Sequence, residues 1–550
     1  MTYSEKLLSL LKNFGIEYIF GVIGREATSI SFDSPNSPKF ILTRHETTAG
    51  MAAIAMSRFT NKPQVCFGTL GPGFTNFITT IATAMVDRDP IIVITAQAET
   101  DSIIYNNVHQ CIDLVSIAKP ITKFSIEVTN ENDIISVLEL AIRKSMSFPY
   151  GPSFISLPIN IMTKEIKRSI ILSEINKFKV LSPNISSNLN KVYKKVSSII
   201  KKSKTPIIIV GNGVLKSDIY PSLLRELSEK MNIPIVSTYS AKGILPHHHE
   251  LNYGVISSHL DVLLGFPALE YLFKNNDLII LIGYDLVEHF PSAWSTNKKV
   301  KIISISEYKG KEDIFLKPKP EISVYAPIDK VCKMLIKDGS LNKKNNISDY
   351  SKIKNMLDYI KNESKKDNQK ITPPSIMSSL DIIYPDGYII ANDIGMNRHT
   401  SAVYFESMIP NDFLTSAGFS SFGTGVGLGI GAQIANPNKK VIVIAGDGGF
   451  HAHSGDLETA ARLNLPLIIL VLKNNSNSLI KRFQKIGKYK KLDSKVTDFI
   501  DVDFKSIAIA NKCAGYKVNN INDLLKYLHR AGKNTKPSIL EIDIDYSGII

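Results

Sequence analysis

Short runs of Val and Ile punctuate the chain at intervals that leave room for one helix between each pair. The clearest are KFILTRH, QVCFGTLGPG, PIIVITAQ, PIIIVG, LIILIGYD, GYIIANDIG, KVIVIAGDGG and PLIILVLKNN. The apolar residues in these runs are continuous rather than alternating, the pattern of strands buried on both faces. Such strands belong to parallel sheets covered by helices on either side. The pattern therefore predicts an α/β protein of three doubly wound parallel-sheet domains. Two polar stretches predict the linkers: residues 165–190, ending in SPNISSNLN, and the lysine- and asparagine-rich segment from Lys337 to Pro374. The domains are accordingly expected at 1–165, 190–336 and 374–550, and a chain of 550 residues is long enough for several cores.

Charge narrows the function only slightly. Lys+Arg number 65 against 51 Asp+Glu, a formal +14, yet the lysines are scattered along the chain as solvated faces require. Nucleic acid is not an expected partner, whereas an anionic or phosphorylated small substrate suits the charge. Cys66, Cys111, Cys332 and Cys513 are too far apart for a zinc site or a disulfide scaffold. Glu5, Lys6 and Lys12 interrupt the first apolar stretch, so it does not read as a signal peptide, and no run approaches the ~18 apolar residues of a membrane span. The expectation is a cytoplasmic protein without a membrane partner.

The chemistry concentrates in KKVIVIAGDGGFHAHSGDLETAARLNLPLIILVLKNNSNS. A buried strand ends at Gly446-Asp447-Gly448, a helix follows, and the next strand ends at Asn474-Asn475. The separation, 474 − 447 = 27 residues, is one strand–helix–strand unit, so both strand ends reach the same sheet edge, where open α/β sheets bind ligands. Glycines beside Asp447 let main chain approach a diphosphate, and the next helix presents N–H groups to an anion. One carboxylate and one neutral amide oxygen suit a hard cation that keeps phosphate ligands. Gly-Asp-Gly alone also makes ordinary turns. The asparagine at this distance is what gives the pattern its weight.

This arrangement resembles the diphosphate-binding signature of the thiamine-diphosphate decarboxylase and acetolactate synthase superfamily. The resemblance implies thiamine diphosphate and Mg²⁺ as cofactors, with pyrimidine-binding, central and diphosphate-binding domains in that order. It implies metal ligation by Asp447, Asn474 and the Ser476 carbonyl, with Asn475 as the alternative amide. Lys473 stands where the family has a first asparagine. Further cofactor contacts are implied at Gly446, Gly448, Gly449, Asn477, Ser478, Leu479 and Tyr546, and after an earlier strand at Ile394, Gly395, Met396 and Asn397. In LTRHETTAG, Glu46 matches the glutamate that hydrogen-bonds the aminopyrimidine; read alone, it is also an ordinary first-turn helix acid. Ala49 and Ala52 keep its helix slim. Gly71 and Asn76 in GPGFTN match the glycine-rich loop, which a tight turn also explains. Ser420, Ser421 and Phe422 match the segment beneath the thiazolium, although Phe422 equally suits a core. Family members divide each site between subunits, which implies a homodimer or homotetramer.

Within the superfamily the chain resembles the carboxyethylarginine synthase branch. FGVIGREATSISFD, HQCIDLVSIAKP, GPSFISLP, TYSAKGILPHHHELNYG, FPALEYLF and LTSAGFSSFG carry that likeness. It implies a synthase joining a three-carbon unit from glyceraldehyde 3-phosphate to an amino-acid amine with loss of phosphate. The alternative is an acetolactate synthase-type decarboxylase and carboligase acting on pyruvate. In the first reading His109, Gln110 and His399 act as acid–base groups with Glu46, and Arg398, His399, His259 and His289 contact a phosphorylated triose and an amino acid. A loop histidine and a surface arginine are the plain alternatives for His109 and Arg398. His259 and His289 replace a tyrosine and an aspartate of that branch, and the tail after Tyr546 is shortened, so an altered amine acceptor is expected. FAD is not expected.

Overall fold

The computed structural model describes residues 2–105, 109–166, 189–256, 276–289, 299–310, 315–341, 370–486 and 493–546, with positions 355, 358, 359 and 362 between them. Most of both expected linkers, and His259, lie outside the described residues.

Eighteen strands in the described residues form three six-stranded sheets. The first holds β1 (Tyr18–Gly21), β2 (Lys39–Leu42), β3 (Gln64–Gly68), β4 (Ile91–Gln97), β5 (Phe124–Glu127) and β6 (Ser153–Pro158). The second holds β7 (Pro206–Val210), β8 (Ile235–Ser237), β9 (Asn252–Val255), β10 (Leu278–Ile282), β11 (Lys301–Ser306) and β12 (Ile322–Tyr325). The third holds β13 (Ile389–Asn392), β14 (Phe413–Leu414), β15 (Val441–Gly446), β16 (Ile468–Lys473), β17 (Ala514–Val518) and β18 (Ser538–Asp543). Every strand pairing is parallel. Strands β4, β7, β10 and β16 are buried along their whole length, which is why their sequences are apolar without alternation.

The first sheet runs β2-β1-β3-β4-β6-β5 and the third runs β14-β13-β15-β16-β18-β17, the same order repeated. The second runs β12-β11-β10-β7-β8-β9. Each order reverses near its middle or start, between β1 and β3, between β7 and β10, and between β13 and β15, and the first and third turn back again at their β6-β5 and β18-β17 ends. At a reversal the connections leave toward opposite faces and open a crevice at the carboxyl ends of the strands.

The chain forms two compact units. One takes the described residues of Met1–Leu181 with Phe419–Pro437 and His453–Leu465; the other takes those of Ser182–Gly418 with Asn438–Ala452 and Pro466–Ile550. In the first unit the helix Glu46–Thr60 packs on the helix Gly425–Ala435. A Cβ on Gly431 would stand 2.1 Å from the Ala52 carbonyl oxygen, so only glycine permits this approach, and Ala49 and Ala52 are fully buried in it. Among the described residues no helix is long and apolar enough to cross a membrane.

Candidate functional site

Strand β15 ends at Gly446, and Asp447 opens the helix Asp447–Ala452. One carboxylate oxygen of Asp447 accepts the main-chain N–H groups of Asn474 at 3.0 Å and Asn475 at 2.5 Å; the other accepts that of Gly448 at 2.7 Å. A single side chain thus ties the end of β15 to the turn after β16. Asn475 takes the left-handed conformation, φ 55°, that this turn requires, and its carbonyl accepts the N–H of Phe499 at 2.8 Å. The Ser476 hydroxyl donates to Asp498 and the Asn477 N–H to Thr497, each at 2.8 Å, so the loop is fixed on its far side.

The exposed side chain of Asn474 donates its amide N–H to Ser478 Oγ at 2.5 Å, an orientation that turns its amide oxygen the other way. The Ser476 carbonyl accepts the N–H of Ser478. Above Gly446 there is room, since an added Cβ would meet nothing nearer than Asn397 Oδ1 at 3.9 Å. Among the described residues no group of three His, Cys, Asp or Glu could hold a metal. One carboxylate, one amide oxygen and one carbonyl are the sparse set that Mg²⁺ takes when phosphates complete its shell. The residues present fit Mg²⁺ and a diphosphate.

Lys473, the departure beside Asn474, has a structural cause. Its ammonium donates to Glu541 at 2.9 Å and Asp501 at 2.8 Å and lies 3.5 Å from Asp543. Burial pulls its pKa down, but the Asp501 and Glu541 hydrogen bonds outweigh that and hold it charged. It pins β16 to β18 and to the Asp501 segment.

Around the end of β13, Asn397 donates through its amide to Asn392 Oδ1 at 2.9 Å and the Asp393 carbonyl at 2.8 Å, and Met396 is core. Ile394 and Gly395 are half-buried at the reversal crevice. Leu479 packs on the same core. Tyr546 is buried, and burial followed by the charge of Asp447 pushes its phenol up. Sequence reasoning passed over Asp393, a buried carboxylate against Gly449. Its only sequence signal is a strand end four positions from Asn397.

In the first unit Glu46 stands in the first turn of its helix, 6% exposed, and accepts the Asn76 amide N–H at 2.9 Å. Gly71 takes φ 53°, and an added Cβ would lie 2.4 Å from the Gln110 carbonyl oxygen. The glycine-rich turn therefore sits against the His109-Gln110 loop at main-chain distance. His109 and Gln110 are exposed. The Phe419 N–H donates to Asp87 at 3.1 Å; Ser420 and Ser421 follow half-buried, and Phe422 is 47% exposed, so it is not core of this chain.

In the second unit Arg398 donates to the Ser416 carbonyl at 2.9 Å. Buried His399 shares a 3.0 Å hydrogen bond between Nδ1 and the Tyr239 hydroxyl. His289, 4% exposed, meets the Tyr239 ring edge-on with centroids 4.8 Å apart. Burial, then the charge of Arg398, lowers both imidazoles, His289 to about 3. Tyr239 was not marked by any sequence motif of its own.

Models of the thiamine pyrophosphate enzymes match all three domains. The N-terminal TPP binding domain matches residues 1–117, the central domain 193–335 and the C-terminal TPP binding domain 393–542. The chain is 29% identical over 575 aligned residues to a Methanococcus aeolicus protein named "Probable acetolactate synthase large subunit", covering 100% of this chain and 93% of that one. It is 26% identical to acetolactate synthase of Bacillus subtilis, covering 99% and 93%. It is also 26% identical to acetolactate synthase isozyme 1 large subunit of Escherichia coli, covering 99% and 94%.

Proposed function

We propose that this chain, which belongs to the thiamine pyrophosphate enzyme superfamily, holds thiamine diphosphate with Mg²⁺ and acts as a carboligase of the acetolactate synthase type, with pyruvate as the donor. Full-length likeness to acetolactate synthases supports the reaction type. The observation that carries the cofactor reading is the Asp447 carboxylate joining the ends of β15 and β16, with room left above Gly446. When bound, thiamine diphosphate supplies a thiazolium carbon that adds to a carbonyl and stores the resulting charge.

In this reading Asp447, Asn474 and the Ser476 carbonyl hold Mg²⁺, and the Gly446–Gly449 turn accommodates the diphosphate. Glu46 hydrogen-bonds the aminopyrimidine, and Asn76 fixes the rotamer of its carboxylate. Phe422 supports the thiazolium. His109 and Gln110, held against Gly71, move protons near the reacting carbon. The active assembly is at least a homodimer with cytoplasmic location.

A second reading is favoured by Arg398 beside His399 and His289. A guanidinium among neutral polar rings suits a phosphate or carboxylate. Together with the segments HQCID and AKGILP, it supports a carboxyethyl-amino-acid synthase using glyceraldehyde 3-phosphate, its amine acceptor altered by His289. The second reading takes no flavin. At the β7/β10 reversal the Gly213 N–H donates to the Gly283 carbonyl at 2.8 Å and Glu288 accepts the Asn212 N–H at 2.8 Å.

Purified protein with thiamine diphosphate and Mg²⁺ is to be given pyruvate or glyceraldehyde 3-phosphate separately. Carbon dioxide and acetolactate from pyruvate support the first reading. Phosphate release from the triose phosphate alone, with N-carboxyethyl amino acids by mass spectrometry, replaces it with the second.

A further inference from the structure

Two loops at the carboxyl edge of the central sheet, one after β8 and one after β10, bring aromatic rings to His399 on the helix Met396–Tyr404, all within the second unit. They are locked to each other. The Thr238 hydroxyl donates to Glu288 at 3.0 Å, and the same carboxylate oxygen takes the N–H of Asn212. Tyr239 and His289, each next in sequence to one of these anchors, meet edge-on. Tyr239 is 1% exposed and also stands edge-on to His399, with centroids 5.8 Å apart.

The Tyr239 hydroxyl and His399 Nδ1 are 3.0 Å apart. A neutral imidazole carries one donor and one acceptor nitrogen, so the partner at Nδ1 decides what Nε2 does. Burial and the neighbouring Arg398 charge keep this ring neutral. A phenol donates better than it accepts, because its oxygen lone pair is delocalised into the ring, and an imidazole nitrogen is the stronger acceptor. His399 Nε2 is buried and has no hydrogen-bond partner among the described residues, and neither ring nitrogen of His289 has one.

We propose that Tyr239 is a positioning residue for His399: its hydroxyl donates to Nδ1, keeps the ring proton on Nε2, and makes His399 a hydrogen-bond donor to a carbonyl, carboxylate or phosphate oxygen of the substrate. Without that contact the two tautomers interconvert, and the same nitrogen is an acceptor part of the time, repelling such an oxygen. The proposal rests on the reading of Arg398 and His399 as substrate groups, but its test needs no turnover.

Full-length protein labelled with ¹⁵N-histidine gives ring nitrogen shifts at neutral pH, with the His399 signals identified by their loss in His399→Gln. The expected wild-type result is a protonated Nε2 and an unprotonated Nδ1. Tyr239→Phe, which keeps the ring against His289, is expected to move His399 toward a mixture while the other histidine signals stay in place. A wild-type proton on Nδ1, or an unchanged tautomer in Tyr239→Phe, would overturn the proposal. In turnover, Tyr239→Phe is expected to lower kcat about tenfold with less than a threefold change in KM. An unchanged kcat counts against it. Absence of turnover with either substrate overturns the functional reading instead and leaves the tautomer result to decide this one.

Discussion

Lys473 and Glu541 form a buried ion pair, their side chains 6% and 3% exposed, across the parallel strands β16 and β18. The lysine immediately precedes Asn474, so the pair sets the strand end from which the candidate metal loop departs. Removing the lysine takes from the buried carboxylate its closest ion-pair partner and leaves the Lys517 ammonium standing off at 4.0 Å. Lys473→Met is therefore expected to cost about 3–5 kcal/mol in urea unfolding, and Lys473→Met with Glu541→Leu to recover most of it. A loss below about 1 kcal/mol for the single variant would show that the pair does not hold the strands.

Glu46 accepts a hydrogen bond from Asn76, and in the proposed function its carboxyl group serves proton transfer at the aminopyrimidine. Glu46→Gln preserves shape and removes that capacity. Turnover is expected to fall by about 10²–10⁴-fold, with cofactor affinity changed less than tenfold. Equal losses in both would assign Glu46 to binding alone.

His289 and Glu288 give opposite pH dependences. Burial, then Arg398, depresses His289 from 6.5 to about 3, so its stabilising contribution is complete above 6.5 and is lost as the pH falls toward 3. Burial raises Glu288 from 4.5 to about 7, so its contribution is complete below 4.5 and is lost as the pH rises through 7. In melting scans from pH 4 to 8, His289→Phe is expected to flatten the acid-side fall and Glu288→Gln the fall toward pH 8. Parallel profiles for all three proteins would contradict both assignments.

Most strands legible in the sequence are buried on both faces, such as PIIVITAQ in β4 and PLIILVLKNN in β16, whereas KFILTRH forms β2, whose Lys39 and Leu42 are exposed. Others left no comparable run. Strand β14 is two residues long, and β17, AGYKV, is mostly half-buried at the sheet edge, so its apolar residues do not stand together. Asp447, Asn474, Glu46 and Asn76 were visible because each sits at a strand end or helix start with characteristic neighbours. Asp393, Tyr239 and the partners of Lys473 were not, because they meet only through the order of strands: Lys473 and Glu541 are 68 residues apart in sequence yet adjacent in the sheet. Phe422, equally suited by sequence to a core, is exposed in this chain.

The central claim is that the Asp447–Asn474 turn holds Mg²⁺ and the diphosphate of thiamine diphosphate. Isothermal titration of thiamine diphosphate into the full-length protein, with Mg²⁺ and with the metal chelated, tests it most directly when repeated on Asp447→Asn. The expected result is saturable binding that requires Mg²⁺ and weakens by about 100-fold or more in the variant, since a charged ligand is lost along with the anchor of the turn. Metal-independent binding of equal affinity in both proteins would contradict it.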